Sequence, residues 1–525
     1  MFTENPQFKD RQLRLEKWRT AGIDPFGQRV DGLISIAGAR SLHTTETPHD
    51  GGPQAKIAGR IVLLRDIGKL IFITIADSSG RIQIGVARQF LAADWEKAKL
   101  LELGDIAWFS GKVGHTKTGE ITIWADQFGL AAKAMLPLPD KFHGLSDTEL
   151  RYRQRYLDLA ANPESMEVFT ARSKIVQSIR EFLHQRDFIE VETPMMQPIA
   201  GGAAARPFVT HHNALDVDFF LRISPELYLK RLLVGGMERV FEINRNFRNE
   251  GIDTRHNPEF TMMELYQAYS DLAGMMELTE SLISALAVER RRLLFQQNQA
   301  TGAGTAPPVA QLGVKLPFGD RIIDFTPPFQ RIAYGDLFLR HVGVDMLDDA
   351  GVRAAAAKHH VAEIDKKDTA VLVGELFERL AEPGLHGLDQ PVFIYDYPAG
   401  LCPLTRRKPG NPAIAERFEL YVAGMELANA YTELNDPFVQ HETFSAQLAG
   451  IKEEDSMARM DTDFITALGH GMPPAGGLGI GIDRLVMLLV NRTSIRDVVL
   501  FPLLKPPSTG AQAAGTSGHG PVPLP

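Results

Sequence analysis

Apolar and polar positions change period several times along this chain. Residues 5–20 mix charges with apolar positions and predict an amphipathic helix, while residues 21–53, rich in Gly, Pro, Thr and His, predict loop. From Ala55 the run "KIAGRIVLLRDIGKLIFITIADSSGRIQIGVA" alternates instead. Ile71, Ile73 and Ile75 interleave with Phe72, Thr74 and Ala76, the period of a half-buried strand. "DSSG" and "TKTG" are turns, and "GEITIWADQF" is a further strand. About five strands with one helix near residues 91–101 predict a small closed barrel. "LPLPDKFHGL" is a Pro-rich connector.

A longer mixed region follows. A helix over 166–186 leads into a strand at 187–192, "DFIEVE", that ends at Pro194. "RVFEINRNFR" (239–248) and "PEFTMMELYQAY" (258–269) both alternate, and the second puts Phe260, Met262, Glu264 and Tyr266 on one face. "QQNQATGAGTAPPVAQLG" is a flexible break, residues 328–390 are mostly helical, and strands resume at "PVFIYDYP". The tail from Pro506 has the composition of a segment without fixed structure. No internal repeat stands out.

The totals narrow the class. A chain of 525 residues has room for two or three domains. There is no apolar run long enough for a membrane span and no secretory leader, and the single cysteine, Cys402, excludes an internal disulfide; a cytoplasmic setting fits. The net charge of −9 argues against a nucleic-acid partner, but residues 1–135 carry 18 Lys+Arg against 15 Asp+Glu, so the N-terminal part is net +3 and the rest −12. That distribution permits RNA binding at one end, and it also fits plain unevenness.

Four segments carry chemistry. In "FRNEGIDTRHNPEF", the connection between the two alternating runs is long for a hairpin and places Arg248, Arg255 and His256 near Glu264 and Tyr266. Cations that converge in this way meet phosphate. In "ERFELYVAGMELANAYTELND", Glu419, Glu426 and Glu433 recur every seven residues, as on a helix stripe. Gly424 and the alternation on either side fit two strands better, with a bulge to bring Glu426 into phase with Asn429. Gathered carboxylates need a cation, and Mg²⁺ takes oxygen ligands. "GGLGIGIDRLVMLLV" is a Gly-rich strand entering a helix, with Asp483 as a candidate cap and Arg484 in the first turn. In "RISPELYLKRLLVGG", Ser224 caps, Pro225 opens the helix and Glu226 follows; alone, that Glu needs no role beyond the helix dipole.

Together "FRNE…RHNPEF", the helix and strand ending at Pro194, and "GLGIGIDR" resemble the three motifs of class II aminoacyl-tRNA synthetases. "LPDKFHGL", "RYRQRYLDL", "VETPMMQ", "ELYLKRL", "HNPEFTMMELY" and "AYTELNDP" resemble the lysyl-tRNA synthetase family in particular, over residues 55–505. The implied fold is α+β: an OB-fold anticodon-binding barrel at 55–135 after an N-terminal helix and loop (1–54), a linker at 136–160, and a catalytic domain at 161–505 built on an antiparallel β-sheet flanked by helices. Residues 506–525 lie beyond it.

The resemblance assigns roles to positions. Arg248 and Arg484 are the implied catalytic residues. Arg248 would contact the α-phosphate of ATP, Arg255 and His256 the γ-phosphate, and Glu250 and Asn257 the adenine edge, with Phe260 and Arg484 sandwiching the ring. Glu419 and Glu426 would bind Mg²⁺. Gly202 and Glu264 would hold the α-amino end of L-lysine, and Glu226, Tyr266, Asn429 and Glu433 its ε-ammonium. Arg65, Phe72, Gln83 and Glu120 would contact the anticodon of tRNA-Lys. Two carboxylates facing one ammonium are favourable only with the cation present. The family's dimer interface would fall on 166–194. Ala428 and Ala430 depart from relatives that have glycine. The rival readings are a ligase that lysylates protein and an RNA-binding protein without catalysis; the barrel argues against the first and the retained Arg248, Glu419, Glu426 and Arg484 against the second.

Overall fold

The computed structural model describes residues 5–27, 29–139, 145–203, 205–300, 314–448 and 460–506. The described residues fall into two compact units, one running to Met166 and regained at Lys505, the other Glu167–Leu504. The break expected at 296–313 is the end of a helix up to residue 300 and then lies outside the described residues, as do residues 140–144 of the connector and the tail from 507.

The first unit opens with helix α1 (Pro6–Thr20), capped by the Asn5 side chain, which accepts from Gln7 N at 2.9 Å. Trp18 on this helix is fully buried in the barrel cluster, and Arg11 donates to the backbone oxygens of Ala134 and Leu103. The expected loop at 21–53 contains a short helix, Ile36–Ser41, because Ser35 Oγ accepts from Gly38 N and Ile36 is apolar enough to bury. Strands β1 (Gln54–Asp66), β2 (Leu70–Asp77), β3 (Gly80–Ala87), β4 (Ile106–His115) and β5 (Ile121–Ala132) close a barrel in the order β1-β2-β3-β5-β4. Its interior is the alternate set Ile57, Ile71, Ile73, Ile84, Phe109 and Ile123, each fully buried or nearly so. Each such side chain contributes about 1.5–3 kcal/mol by leaving water. The single helix expected near 91–101 is three short pieces, Arg88–Leu91, Ala92–Asp94 and Trp95–Ala98, since Ala92 at φ 39° cannot continue a helix.

Helix α2 (Pro163–His184), which runs into the second unit from Glu167 on, leads to β6, which is only Ile189–Glu190 rather than the six residues expected. Next come α3 (Glu226–Val234), β7 (Arg239–Phe247), β8 (Glu259–Ala268) and α4 (Leu272–Ala300). After β9 (Gln330–Ala333), the helices Tyr334–Val342, Asp349–Lys358 and Thr369–Leu376 precede β10 (Val392–Pro398). The rest is β11 (Asn411–Val422), β12 (Met425–Thr432), β13 (Ala475–Gly481) and α5 (Ile482–Leu489). These strands pair in the order β9-β10-β11-β12-β13-β8-β7-β6. The sheet is antiparallel except at its two edges, where β9 pairs β10 and β6 pairs β7 in parallel.

Strand parity sorts the sheet into two faces. Met263, Leu265, Phe418, Leu420, Ala430, Leu478 and Ile480 point to one side and pack with Ile179, Leu282 and Leu485 of the helices. Their neighbours Glu264, Tyr266, Arg417, Glu419, Asn429 and Gly477 therefore face the other way, into the cleft.

Candidate active site

The open face of the sheet floors a cavity of about 1060 Å³. It is lined by Gly202, Glu226, Arg248, Glu250, Arg255, His256, Asn257, Phe260, Glu264, Tyr266, Glu419, Glu426, Asn429 and Arg484. Every residue predicted for ATP, lysine or metal is in that wall except Glu433, which lies just behind it. β13 contributes glycine at each cleft-facing position. A Cβ at Gly477 would overlap Glu433 Oε1 and the Tyr266 ring, and one at Gly479 would crowd the Met262 terminus at 2.5 Å.

The loop between β7 and β8 forms the cationic side. Its organiser is Asp253, which no motif singled out. One of its oxygens accepts from the backbone N–H of Arg255 (2.6 Å) and His256 (2.8 Å), and the other meets His256 Nδ1 at 2.8 Å. Partial burial works against its charge, but these donors win and hold the carboxyl below its usual range. The Arg248 guanidinium lies 5.2 Å from the Phe260 ring centroid. Arg255 donates to Gly424 O at 3.1 Å, while Arg484 donates to Glu426 O at 2.5 Å and reaches His256 Nε2 at 2.9 Å. Phe260 is thus faced by Arg248, while Arg484 sits with His256. Asn257 spends its amide N–H on Glu259 O, and its buried Oδ1 has no partner among the described residues.

Asp483 does not cap its helix; Gly481 is the N-cap residue. Asp483 sits in the first turn, where it accepts from Thr261 N at 2.8 Å and pairs with Arg172 at 2.6 Å. The turn that presents Arg484 is thereby tied to β8 and α2.

At the other end of the cavity, Ser224 Oγ accepts from Glu226 N (3.1 Å) and donates to Glu264 (2.8 Å), whose second oxygen takes the Tyr266 hydroxyl at 3.1 Å. Burial, then the charge of Glu226, push the Glu264 carboxyl up to about 7 against those two hydrogen bonds. Gly202 has φ +85°, and a Cβ there would sit 3.0 Å from Ser224 Oγ. Asn429 donates to Tyr431 Oη at 2.7 Å and accepts from Arg417 Nε at 3.2 Å.

Glu226 and Glu433 do converge, but on a cation the chain itself supplies. Lys230, fully buried, places Nζ 2.7 Å from Glu226 Oε1 and is ion-paired with Glu433 Oε2. The expectation of two carboxylates awaiting an ammonium is corrected accordingly. The signal was present: Lys230 follows Glu226 by four residues on α3, the spacing that stacks side chains on a helix. Burial opposes the Lys230 charge, but the two carboxylates hold its pKa above the ordinary lysine value. Glu433 is pushed up by burial, with Lys230 pulling the other way. Its Oε1 has no hydrogen-bond partner among the described residues.

The predicted bulge exists. The β11–β12 register shifts between Leu420 and Tyr421, so that Leu420 faces Ala428 and Tyr421 faces Glu426. Leu427 is the extra residue, and it brings Glu426 toward Glu419. Glu426 is pushed up by burial in the cleft and then by Glu419, with Arg484 opposing. Glu419 is held by the guanidinium of Arg417, a residue not anticipated, and by the Tyr421 hydroxyl at 2.8 Å. Two mutually repelling carboxylates fit a divalent cation. No group of three or more His, Cys, Asp or Glu among the described residues is placed to hold a metal ion.

On the barrel, Phe72 is half-buried between the buried Ile71 and Ile73, as parity predicts. It pairs across strands with Arg65, which is exposed, and with Gly85. Gly85 has no side chain, so Trp124 lies across it, 6.3 Å from the Phe72 ring. Gln83 donates to Thr122 Oγ1 at 2.9 Å, and Glu120 is exposed just ahead of β5.

Residues 147–505 match the family model for tRNA synthetases class II (D, K and N), and residues 55–130 match the OB-fold nucleic acid binding domain. The chain belongs to the class II tRNA synthetases, and within them to the lysine–tRNA ligases. Over 509 residues it is 48% identical to the lysine–tRNA ligase of Pelotomaculum thermopropionicum, covering 96% of this chain and 95% of the relative. The enzyme of the same name from Carboxydothermus hydrogenoformans is 48% identical over 96% of this chain and 98% of its own length. That of Bacillus subtilis is 45% identical, covering 95% and 97%.

Proposed function

We propose that the protein joins L-lysine to tRNA-Lys at the expense of ATP, through a lysyl-adenylate. The observation that carries this reading is one cavity with guanidinium groups and a paired imidazole at one end and the buried carboxylates Glu226 and Glu264 at the other, with Glu433 just behind them. Such a cavity suits a triphosphate beside an amino acid with two ammonium groups.

In the first step the lysine carboxylate oxygen bonds to the α-phosphorus, and the bond from that phosphorus to the bridging oxygen breaks as diphosphate leaves. The step needs alignment and charge neutralisation, with no covalent help from the protein. Arg248 neutralises the α-phosphate; Arg255 and His256, held by Asp253, take the far end of the triphosphate; Phe260, Arg484, Glu250 and Asn257 receive the adenine. Glu264 and Gly202 bind the α-ammonium, and Glu226, Tyr266, Asn429 and Glu433 the ε-ammonium. Glu419 and Glu426 would hold Mg²⁺, which supplies charge neutralisation for the leaving diphosphate. In the second step a ribose hydroxyl at the 3′ end of the tRNA bonds to the carbonyl carbon, loses its proton, and AMP leaves.

Residues 55–135 read the anticodon through Arg65, Phe72, Gln83 and Glu120, and residues 161–505 carry the chemistry. The protein acts as a cytoplasmic homodimer. Support for the dimer comes from a groove of about 910 Å³ lined by Phe169, Phe208, Phe247 and the exposed Phe501, and from the exposure of Ile189 and Met196.

Lysine-dependent exchange of diphosphate into ATP, followed by charging of tRNA-Lys, tests the assignment. Exchange and charging with lysine alone among the amino acids is the expected result. Exchange without charging would point to another acceptor, and no exchange to a binding protein.

A further inference from the structure

The cavity wall and the residues behind it are ordered in depth. Glu226 is in the wall. Lys230 and Glu433 are not, and neither side chain reaches solvent. The ammonium of Lys230 therefore stands at the blind end of the lysine subsite, one helical turn beyond Glu226. Leu229 and Leu233 of the same helix are also buried, and Lys230 Nζ has Glu226 and Glu433 as its ionic partners among the described residues.

We infer that Lys230 is a specificity-determining residue: its ammonium is the end-stop that limits how far a substrate cation can enter. The inference rests on the lysine reading of this subsite. An incoming side chain that ends in one ammonium shares Glu226 with Lys230 from the open side, while Glu433 stays behind the wall on the far side of Lys230. A guanidinium extends farther and drives its charge toward a like charge that has nowhere to move. Fixed repulsion of this kind separates two cations that the same carboxylates would both attract. Side chains that are shorter or uncharged fail for the opposite reason, leaving Glu226 without its second partner. The ion pairs also hold Glu226 and Glu433 in place, which makes Lys230 a positioning residue for both.

The test compares lysine with arginine as the amino acid that drives ATP–diphosphate exchange. In Lys230→Met, which keeps length but removes the charge, the arginine-to-lysine ratio of kcat/KM should rise tenfold or more over wild type. A smaller rise overturns the inference, since a purely structural lysine would lower both amino acids together. Where that variant does not fold, Lys230→Gln, which also removes the charge but keeps a polar end for Glu226 and Glu433, is held to the same ratio. Wild-type protein without lysine-dependent exchange would overturn the lysine reading and this inference with it. Intact exchange with an unmoved ratio would overturn this inference alone.

Discussion

Lys230 Nζ lies 2.7 Å from Glu226 Oε1, one turn along the same helix, with both side chains out of solvent. Together with the Lys230–Glu433 pair, this arrangement leaves the subsite with fewer uncompensated charges than its three carboxylates suggest. A buried carboxylate pair of this kind tolerates the absence of substrate because its counter-ion is covalently part of the fold.

Glu433→Gln should raise the KM for lysine while leaving the KM for ATP nearly unchanged. Hydrogen bonds to charged groups contribute about 1.5–3 kcal/mol, so the expected rise is roughly 10- to 100-fold. Exchange kinetics with each substrate varied in turn measure it; equal losses for both substrates would refute a local role.

Gly477→Ala should abolish lysine activation. The added Cβ would occupy the place of Glu433 Oε1 and press on the Tyr266 ring. Neither group has room to retreat, because both are almost fully buried. The check is lysine-dependent exchange alongside ATP binding by the same variant; full lysine activation would contradict the packing described for β13.

The lysine kcat/KM should depend on pH through Glu264. Its carboxyl titrates near 7, and only the ionised form attracts an α-ammonium, so kcat/KM rises with pH and falls about tenfold from pH 8 to pH 6. The ligand-free protein carries the opposite linkage. A carboxyl raised from 4.5 to about 7 on folding adds stability that is complete below 4.5 and is lost as pH rises through about 7. A pH profile that keeps its acid limb in Glu264→Gln would assign that limb to another group.

Phe72→Ala should weaken charging of tRNA-Lys and spare amino-acid activation. Loss of one base stack is worth about 1–3 kcal/mol. Trp124, lying over Gly85 beside it, would remain and keep the barrel surface apolar. Parallel losses in exchange and charging would mean that Phe72 serves the barrel core.

Glu419→Gln should cost more in exchange rate than in lysine affinity, and chelation of divalent cations should stop exchange altogether. Titration of Mg²⁺ into the variant, with a raised requirement as the expected outcome, separates metal binding from the ion pair with Arg417. An unchanged Mg²⁺ requirement would leave Glu419 as a partner of Arg417 alone.

Local pattern determined much of this protein by itself. The alternation from Ala55 to Ala87 dictated strands whose isoleucines fill a barrel, because period two admits only one buried face. The phase conflict between Glu426 and Asn429 demanded a bulge, and the register of β11 against β12 contains it. The same parity identified Glu264, Tyr266 and Asn429 as cleft residues. Other features were decided only by tertiary structure, since they join residues far apart in the chain. Asp483 reads as a helix cap until Arg172 and Thr261 arrive to claim its carboxylate. Glu433 and Gly477 share one volume although 44 positions apart, and no local rule links a carboxylate to a distant glycine. Lys230 was legible as a neighbour of Glu226, but that Glu433 meets it from across the sheet follows from packing alone.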